Sequence, residues 1–292
     1  MKSAARRSKP QRSDVTVGEA LAHGTHVLAE AGIDTARLES ELLLARACDD
    51  CARALLYMEL RRDLSPEAEE NFEALLARRA TREPLAYILG HWGFRRLTLK
   101  TDRRALIPRP ETEIVVERAL EHLDGGEPSV LDVGTGTGAI ALAIVDEHPR
   151  ARVTAIDASE DALALARENL HLLGINGRVR LVEHDLTEGL GHDAFDLVVS
   201  NPPYIEPGDI ETLQPEVRDW EPRIALVSHG ATEAVARAAT EALRPGGWVV
   251  LEIAENQAAK VAGLLLDLGY EHLRVSPDMA GRDRVIEAQW SR

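Results

Sequence analysis

Four consecutive residues, Asn201-Pro202-Pro203-Tyr204, bring together groups suited to holding a small planar nitrogen group. Asn201 offers a carboxamide oxygen, and Pro202 keeps a carbonyl that can only accept a hydrogen bond. Together they can take both hydrogens of an –NH2 group, while Tyr204 can stack on a flat partner. Pro202 and Pro203 stiffen the turn that carries them. The preceding run, Phe195-Asp196-Leu197-Val198-Val199-Ser200, reads as a buried strand. The four residues therefore fall at the carboxyl end of a strand, where open α/β sheets bind ligands. An amide nitrogen is a poor nucleophile because its lone pair is delocalised. Two acceptors on its hydrogens return electron density to nitrogen and aim it, and positioning with preorganised dipoles supplies much of the rate.

A second motif supplies the reaction partner. Val130-Leu131-Asp132-Val133-Gly134-Thr135-Gly136-Thr137-Gly138 is an apolar strand running straight into a glycine-rich turn. Glycines let the backbone turn sharply and let a ligand approach it closely. Asp157 ends the next expected strand, 19 positions after Gly138, and an acid there suits the hydroxyls of an adenosine ribose. The glycines fall as G-x-G-x-G, not as the G-x-G-x-x-G of dinucleotide dehydrogenases. S-adenosylmethionine carries a ribose, an adenine and a zwitterionic tail but no pyrophosphate, and Asp132 is placed to meet the ammonium of that tail directly or through water. The pair of motifs points to methyl transfer from S-adenosylmethionine to a planar nitrogen.

The elements around these motifs alternate. Strands are predicted over Ser129–Val133, Arg152–Ile156, Val179–Glu183, Phe195–Ser200 and Trp248–Ile253. Helices are predicted over Ala139–Asp146, Ser159–Leu173, Thr232–Leu243 and Asn256–Leu268, and two late strands flank Gly281. Strands separated by helices predict a mostly parallel, doubly wound α/β sheet with right-handed crossovers. Residues 14–82 read instead as all-helical, with Val17, Ala20, Leu21, Val27, Leu28 and Ala31 at helical spacing and Leu38, Leu42, Leu43 and Ala45 as a second apolar face. Ser65-Pro66-Glu67 is a helix start, followed by a buried face of Phe72, Leu75 and Leu76. Between these parts, residues 83–108 mix Leu85, Tyr87, Ile88, Leu89, Trp92, Phe94, Leu97 and Leu99 with Gly90 and Gly93, which predicts short strands and a hairpin linker. Residues 109–292 form the main domain. The helical part holds no catalytic cluster, so holding a partner is its expected role, with support of the main domain as the plainer alternative.

Charge narrows the partners. The 292 residues carry a formal net charge of −15, which argues against a free-standing nucleic-acid binder and suits a basic protein partner. Residues 1–13 are basic, with Lys2, Arg6, Arg7, Lys9 and Arg12, and read as a solvated, disordered tail. No apolar segment follows that tail and no run is long enough to span a membrane, so a cytoplasmic protein is expected. Cys48 and Cys51 lack the second pair that a structural zinc site needs and read as reduced cysteines near a helix end. No metal is expected.

On these motifs, and on Pro84-Leu85-Ala86-Tyr87-Ile88-Leu89-Gly90, Leu106-Ile107-Pro108-Arg109-Pro110-Glu111-Thr112-Glu113, Glu221-Pro222 and Gly281-Arg282-Asp283-Arg284, the chain resembles the release-factor glutamine methyltransferases, the PrmC or HemK family, from about residue 15 onward. The resemblance implies a helical N-terminal domain, a hairpin linker and a seven-stranded class I S-adenosylmethionine-dependent methyltransferase domain. It implies methylation of the side-chain amide (N5) of the glutamine in the Gly-Gly-Gln motif of peptide chain release factors, which are then its protein partners in translation termination. By position it implies cofactor contacts from Asp132, Gly134, Thr135, Gly136, Thr137, Gly138 and Asp157, adenine cover from Asp185 and Leu186, and contact from Asn201. Asn201, Pro202, Pro203 and Tyr204 become the glutamine pocket, with Asn201, Pro202 and Tyr204 carrying catalysis. Leu186 stands where the family often has an aromatic residue. Val227-Ser228-His229-Gly230-Ala231-Thr232 departs from the family's glycine-rich run and receives no role.

Three other readings compete. Adenine N6 presents the same planar –NH2, so an amino-methyltransferase acting on nucleic-acid bases shares the pocket, although the acidic chain opposes phosphate binding. A non-catalytic binding module would leave the Asn201 motif without a purpose, as would a dehydrogenase.

Overall fold

The computed structural model describes residues 15–123, 125–175, 177–192 and 195–291, and the basic tail lies outside them. The chain divides into two compact units, one ending at Leu89 and one beginning at Gly90.

The first unit is helical, as its spacing predicts. It comprises α1 (Val17–Glu30), α2 (Ala36–Ala47), α3 (Arg53–Met58), α4 (Pro66–Ala80) and α5 (Leu85–Leu89). Thr16 and Glu19 form a reciprocal capping box at the start of α1, and Ser65 caps α4 through the Ala68 N–H at 3.1 Å. Val17, Leu21 and Leu28 of α1, Leu43 and Leu44 of α2, and Phe72 and Leu76 of α4 form the buried interior. The second apolar face departs from expectation. Leu38 is exposed, whereas Glu39 and Glu41 of α2 are buried against Arg79 and against Arg37 and Arg53. Buried carboxylates are tolerated there because each has a guanidinium partner. Cys48 and Cys51 are free thiols, Cys48 capping the C-terminus of α2.

The strand character expected at Leu85–Leu89 is corrected. These residues form helix α5, which Pro84 starts, its carbonyl accepting from the N–H groups of Tyr87 and Ile88. A short, wholly apolar run carries no periodicity that separates strand from buried helix. The hairpin lies just beyond, as β1 (His91–Phe94) and β2 (Leu97–Lys100) paired antiparallel.

The second unit continues with α6 (Thr112–Glu121), β3 (Ser129–Val133), α7 (Ala139–Glu147), β4 (Arg152–Asp157), α8 (Glu160–Leu172), β5 (Val179–Glu183), β6 (Phe195–Ser200), α9 (Pro215–Arg218), α10 (Ala231–Ala242), β7 (Leu243–Glu252), α11 (Ala258–Leu268), β8 (Tyr270–Pro277) and β9 (Asp283–Trp290). Its seven-stranded sheet has the order β5-β4-β3-β6-β7-β9-β8. Only β9 runs opposite to the other six strands, pairing antiparallel with β7 and β8. The expected doubly wound sheet is thus present. Strand β7 begins earlier than expected: Leu243 pairs with Phe195, and the register shifts across Arg244–Gly247 before Trp248 pairs with Leu197.

Alternate residues of the central strands feed opposite faces, as the pleat requires. Val130, Leu197 and Val199 pack with α6 and α7, whereas Leu131, Val133 and Val198 pack with α10 and α11. The chain winds outward from β3 through β4 to β5, then crosses back to β6 and onward to β7. The order therefore reverses between β3 and β6, which opens a crevice at their carboxyl ends. Val133 and Ser200, the last residues of those two strands, sit side by side in the register, and Ser200 Oγ donates to the Val133 carbonyl at 2.7 Å.

Candidate active site

Both motifs follow these paired strand ends. Gly134, Gly136 and Gly138 hold φ of +72°, +56° and +84°, a region costly for any residue with a Cβ. The Gly134 and Thr135 N–H groups both donate to the Ile156 carbonyl at 2.9 Å, tying the turn to the end of β4. Asp157 completes the tie: its carboxylate accepts from the Gly136 N–H at 2.8 Å and the Ser159 N–H at 2.9 Å. Burial pushes the Asp157 carboxyl above its usual range, against the pull of those amides. Asp132 lies deeper and is fully buried. Thr135 Oγ1 donates to its Oδ2 at 2.6 Å, while Oδ1 has no hydrogen-bond partner among the described residues. Burial outweighs the pull of the Thr135 hydroxyl and of the nearby Ala141 N–H and pushes the Asp132 carboxyl up to about 7.

On the β6 side, Asn201 Nδ2 donates to Thr112 Oγ1 at 3.1 Å. Thr112, at the start of α6, donates to Glu252 Oε2 at 2.7 Å. Tyr204 reaches the other oxygen of the same carboxylate, donating to Glu252 Oε1 at 3.2 Å. Glu252 ends β7 and is fully buried; burial pushes its carboxyl up to about 7, opposed by the Thr112 and Tyr204 hydroxyls and by Arg284. Burial also raises the Tyr204 phenol well above its usual value. Arg284 itself donates to the Ile253 carbonyl at 3.2 Å and to Asp278 at 3.4 Å, and Arg282 shares Asp278, so the Gly281–Arg284 signature clamps the β9 end of the sheet. A further clamp joins two signatures distant in sequence: Arg109 donates to the buried Glu221, which also accepts from the Ile107 N–H at 3.3 Å.

One cavity of about 440 Å³ runs between the two motifs. Gly134, Thr135, Gly136, Thr137, Asp157, Asp185, Leu186, Asn201, Pro202 and Pro203 line it, so most of the predicted site residues are brought together. Asp132, Gly138 and Tyr204 do not line it. Gly138 caps α7 with Leu142 and Ala166 against it, and Tyr204 turns its hydroxyl to Glu252. Asp185 caps a short 3-10 turn through the Thr187 N–H at 2.8 Å, and Leu186 packs on the α10 and α11 side of the sheet.

Family comparisons cover both units. A model described as PrmC N-terminal domain matches residues 19–90, and one described as methyltransferase small domain matches residues 112–216. The release factor glutamine methyltransferase of Geobacter sulfurreducens is 43% identical over 89% of this chain and 91% of its own length. That of Cereibacter sphaeroides is 44% identical over 90% and 94%, and that of Moorella thermoacetica 41% identical over 94% and 98%. The chain belongs to the release factor glutamine methyltransferase family. It is accordingly an S-adenosylmethionine-dependent methyltransferase, and no helix among the described residues is long and apolar enough to cross a membrane.

The residues present fit the cofactor. A Cβ built on Gly134 meets nothing within 4 Å, so the turn's bare backbone faces open cavity and not packed protein. The unpartnered Asp132 Oδ1 beneath that turn is the kind of buried acceptor that a cationic or hydroxyl group, or a bridging water, satisfies.

Several residues in or behind the site lie outside the sequence reading. Thr112 was visible only as part of a signature, with no role. Glu252 left a signal, an acid inside the apolar run Trp248–Ile253, that reads as a polar residue needing partners. The Val227–Thr232 stretch also gains a place. Val227 bridges to Ile205 in parallel, the Ser228 N–H donates to the Ile205 carbonyl at 2.7 Å, and Val227, His229 and Ala231 line the cavity.

Proposed function

We propose that this enzyme transfers a methyl group from S-adenosylmethionine to the side-chain amide nitrogen of the glutamine in the Gly-Gly-Gln motif of peptide chain release factors, in the cytoplasm. The observation that carries the reading is the fixed Asn201 carboxamide. Its nitrogen is tied to Thr112, so its oxygen is left to accept, at the mouth of a crevice shared with the glycine turn.

When bound, S-adenosylmethionine supplies a methyl group activated by a sulfonium. The Gly134–Thr137 turn, Asp157, Asp185 and Leu186 are the lining residues to hold it, with Asp132 behind the turn toward the ammonium of its tail. Asn201 Oδ1 and the Pro202 carbonyl take the two hydrogens of the glutamine amide, which raises density on its nitrogen and fixes the lone pair's direction. Pro202 and Pro203 keep these acceptors from relaxing away from the substrate. Tyr204 contributes from behind through Glu252. The nitrogen loses one hydrogen to solvent after alkylation, so a strong base at the reacting atom is unnecessary. In this reading the helical unit holds the release factor.

The test is methyl transfer from labelled S-adenosylmethionine to purified release factor and, separately, to duplex DNA, followed by peptide mapping. Label is expected on the Gly-Gly-Gln glutamine alone. Label on adenine in DNA, with none on release factor, overturns the substrate while keeping the pocket chemistry.

A further inference from the structure

Asn201 is useful to a glutamine substrate in only one orientation. A carboxamide turned by half a rotation places its NH2 where its oxygen should be, and the two ends are nearly equal in shape. Something must set which end faces the crevice.

We propose that Glu252 sets it, acting through Thr112 as a positioning residue that gives the substrate pocket its accepting polarity. The inference rests on the reading of Asn201 as the amide acceptor. The relay runs in one direction. As a carboxylate, Glu252 can only accept, so the Thr112 hydroxyl must give it its hydrogen, at 2.7 Å. The Thr112 oxygen is then left to accept, and the group it meets at 3.1 Å must be the Asn201 NH2. The Asn201 oxygen is thereby turned toward the cavity that Asn201 lines. Tyr204 locks the far end of the carboxylate in the same way, donating to its second oxygen at 3.2 Å. Each link comes from a different element, namely the β7 end, the first residue of α6, and the turn after β6.

The position of Glu252 argues against a merely structural part. It is fully buried at the end of β7, and a wholly buried carboxylate is a costly way to fill space. An apolar or amide side chain fills the same volume more cheaply, yet neither can compel both hydroxyls to point inward. A glutamine in its place presents one acceptor and one donor; its oxygen keeps Tyr204, and its NH2 falls to Thr112, whose reversed hydroxyl finds a new acceptor in the oxygen of a turned Asn201.

Three variants test this against release factor, with labelled S-adenosylmethionine as donor and cofactor affinity measured by calorimetry. Thr112→Val keeps the shape and removes the hydroxyl, Thr112→Ser restores it, and Glu252→Gln keeps the shape and breaks the polarity. Expected are a fall in kcat of at least about tenfold for Thr112→Val and Glu252→Gln, recovery to within about threefold of the parent for Thr112→Ser, and cofactor Kd within about twofold throughout. A further readout responds to polarity alone: inhibition by release factor whose target glutamine is replaced with glutamate. A reversed Asn201 offers an NH2 to that carboxylate, so this inhibitor should bind at least about fivefold more tightly to Glu252→Gln than to the parent. A parent enzyme that leaves release factor unlabelled defeats the substrate reading itself. An active parent with Thr112→Val at full kcat, with Thr112→Ser as slow as Thr112→Val, or with no gain in binding of the glutamate form, overturns the relay alone. Should Thr112→Val lose cofactor binding or fold, Glu252→Gln with the glutamate inhibitor decides.

Discussion

The two halves of the crevice are built by opposite means, although they hang from neighbouring strands. After β3 the wall is backbone: Gly134 and Gly136 at positive φ, in a turn held by N–H groups bonded to Ile156 and Asp157. After β6 the wall is side chain: Asn201, held through Thr112 to Glu252, whose other oxygen Tyr204 holds from behind. The backbone half is strained by any Cβ added at its positive-φ glycines. The side-chain half depends on single polar links, Asn201 to Thr112 and Thr112 to Glu252. A site that must cradle one molecule and orient another uses each device for the task it suits.

The largest effect should come from the side-chain half. Asn201→Ala is expected to lower kcat by about 10³-fold or more while cofactor Kd, read by calorimetry, changes less than threefold. Loss of cofactor binding together with kcat would show that the halves are not separable. Next is acid sensitivity. Glu252 must be a carboxylate for the relay to run, and its pKa is pushed up to about 7. Thr112, Tyr204, Arg284 and Glu111 are the groups that act on it. Protonation below that value supplies a donor where only acceptors serve, so kcat should fall about tenfold per pH unit well below 7 and level off above it. A kcat profile flat from pH 5 to 8 would break this part of the comparison.

The backbone half should respond in stability. Gly138 has a φ of +84°, and a Cβ there would lie 3.1 Å from Leu142 Cδ1. Gly138→Ala is expected to cost about 1–2 kcal/mol in urea unfolding, and cofactor affinity should fall with it. The smallest expected effect separates function from fold. Asp132 and Glu252 both titrate near 7, above the ordinary carboxylate range. A carboxyl whose folded pKa is raised binds its proton more tightly in the native state. These two groups therefore add stability as pH falls from about 7 toward the ordinary carboxylate value, and withhold it above. Glu252→Gln should accordingly leave the Tm at pH 8 equal to or above that of the parent, even as its kcat falls. A clear drop in Tm would mean that the carboxylate holds the strand end together.

The same contrast decides what could be read in advance. The glycine turn, Asp157 and the Asn201 motif are local, and each announces itself within a few residues of its strand. The doubly wound sheet was equally legible, because strand and helix periods alternate from residue 109 onward. The relay was not legible. Asn201 and Glu252 lie 89 and 140 positions beyond Thr112, and the three meet only because α6, β6 and β7 converge. The short helix Leu85–Leu89 escaped for another reason, since five buried apolar residues carry no period. Leu38 was misplaced because a helix face was assumed to bury its leucines, whereas α2 buries paired glutamates instead.

The Asp157 tie has a consequence for heat. The amides of Gly134, Thr135 and Gly136 are committed to protein acceptors, so the cradle's form is set by the fold and not by its guest. A guest entering such a cradle orders few residues and buries only its own surface and that of the cavity lining. Calorimetry across a range of temperatures should therefore return a modest negative heat-capacity change, well short of the large values that accompany folding coupled to binding.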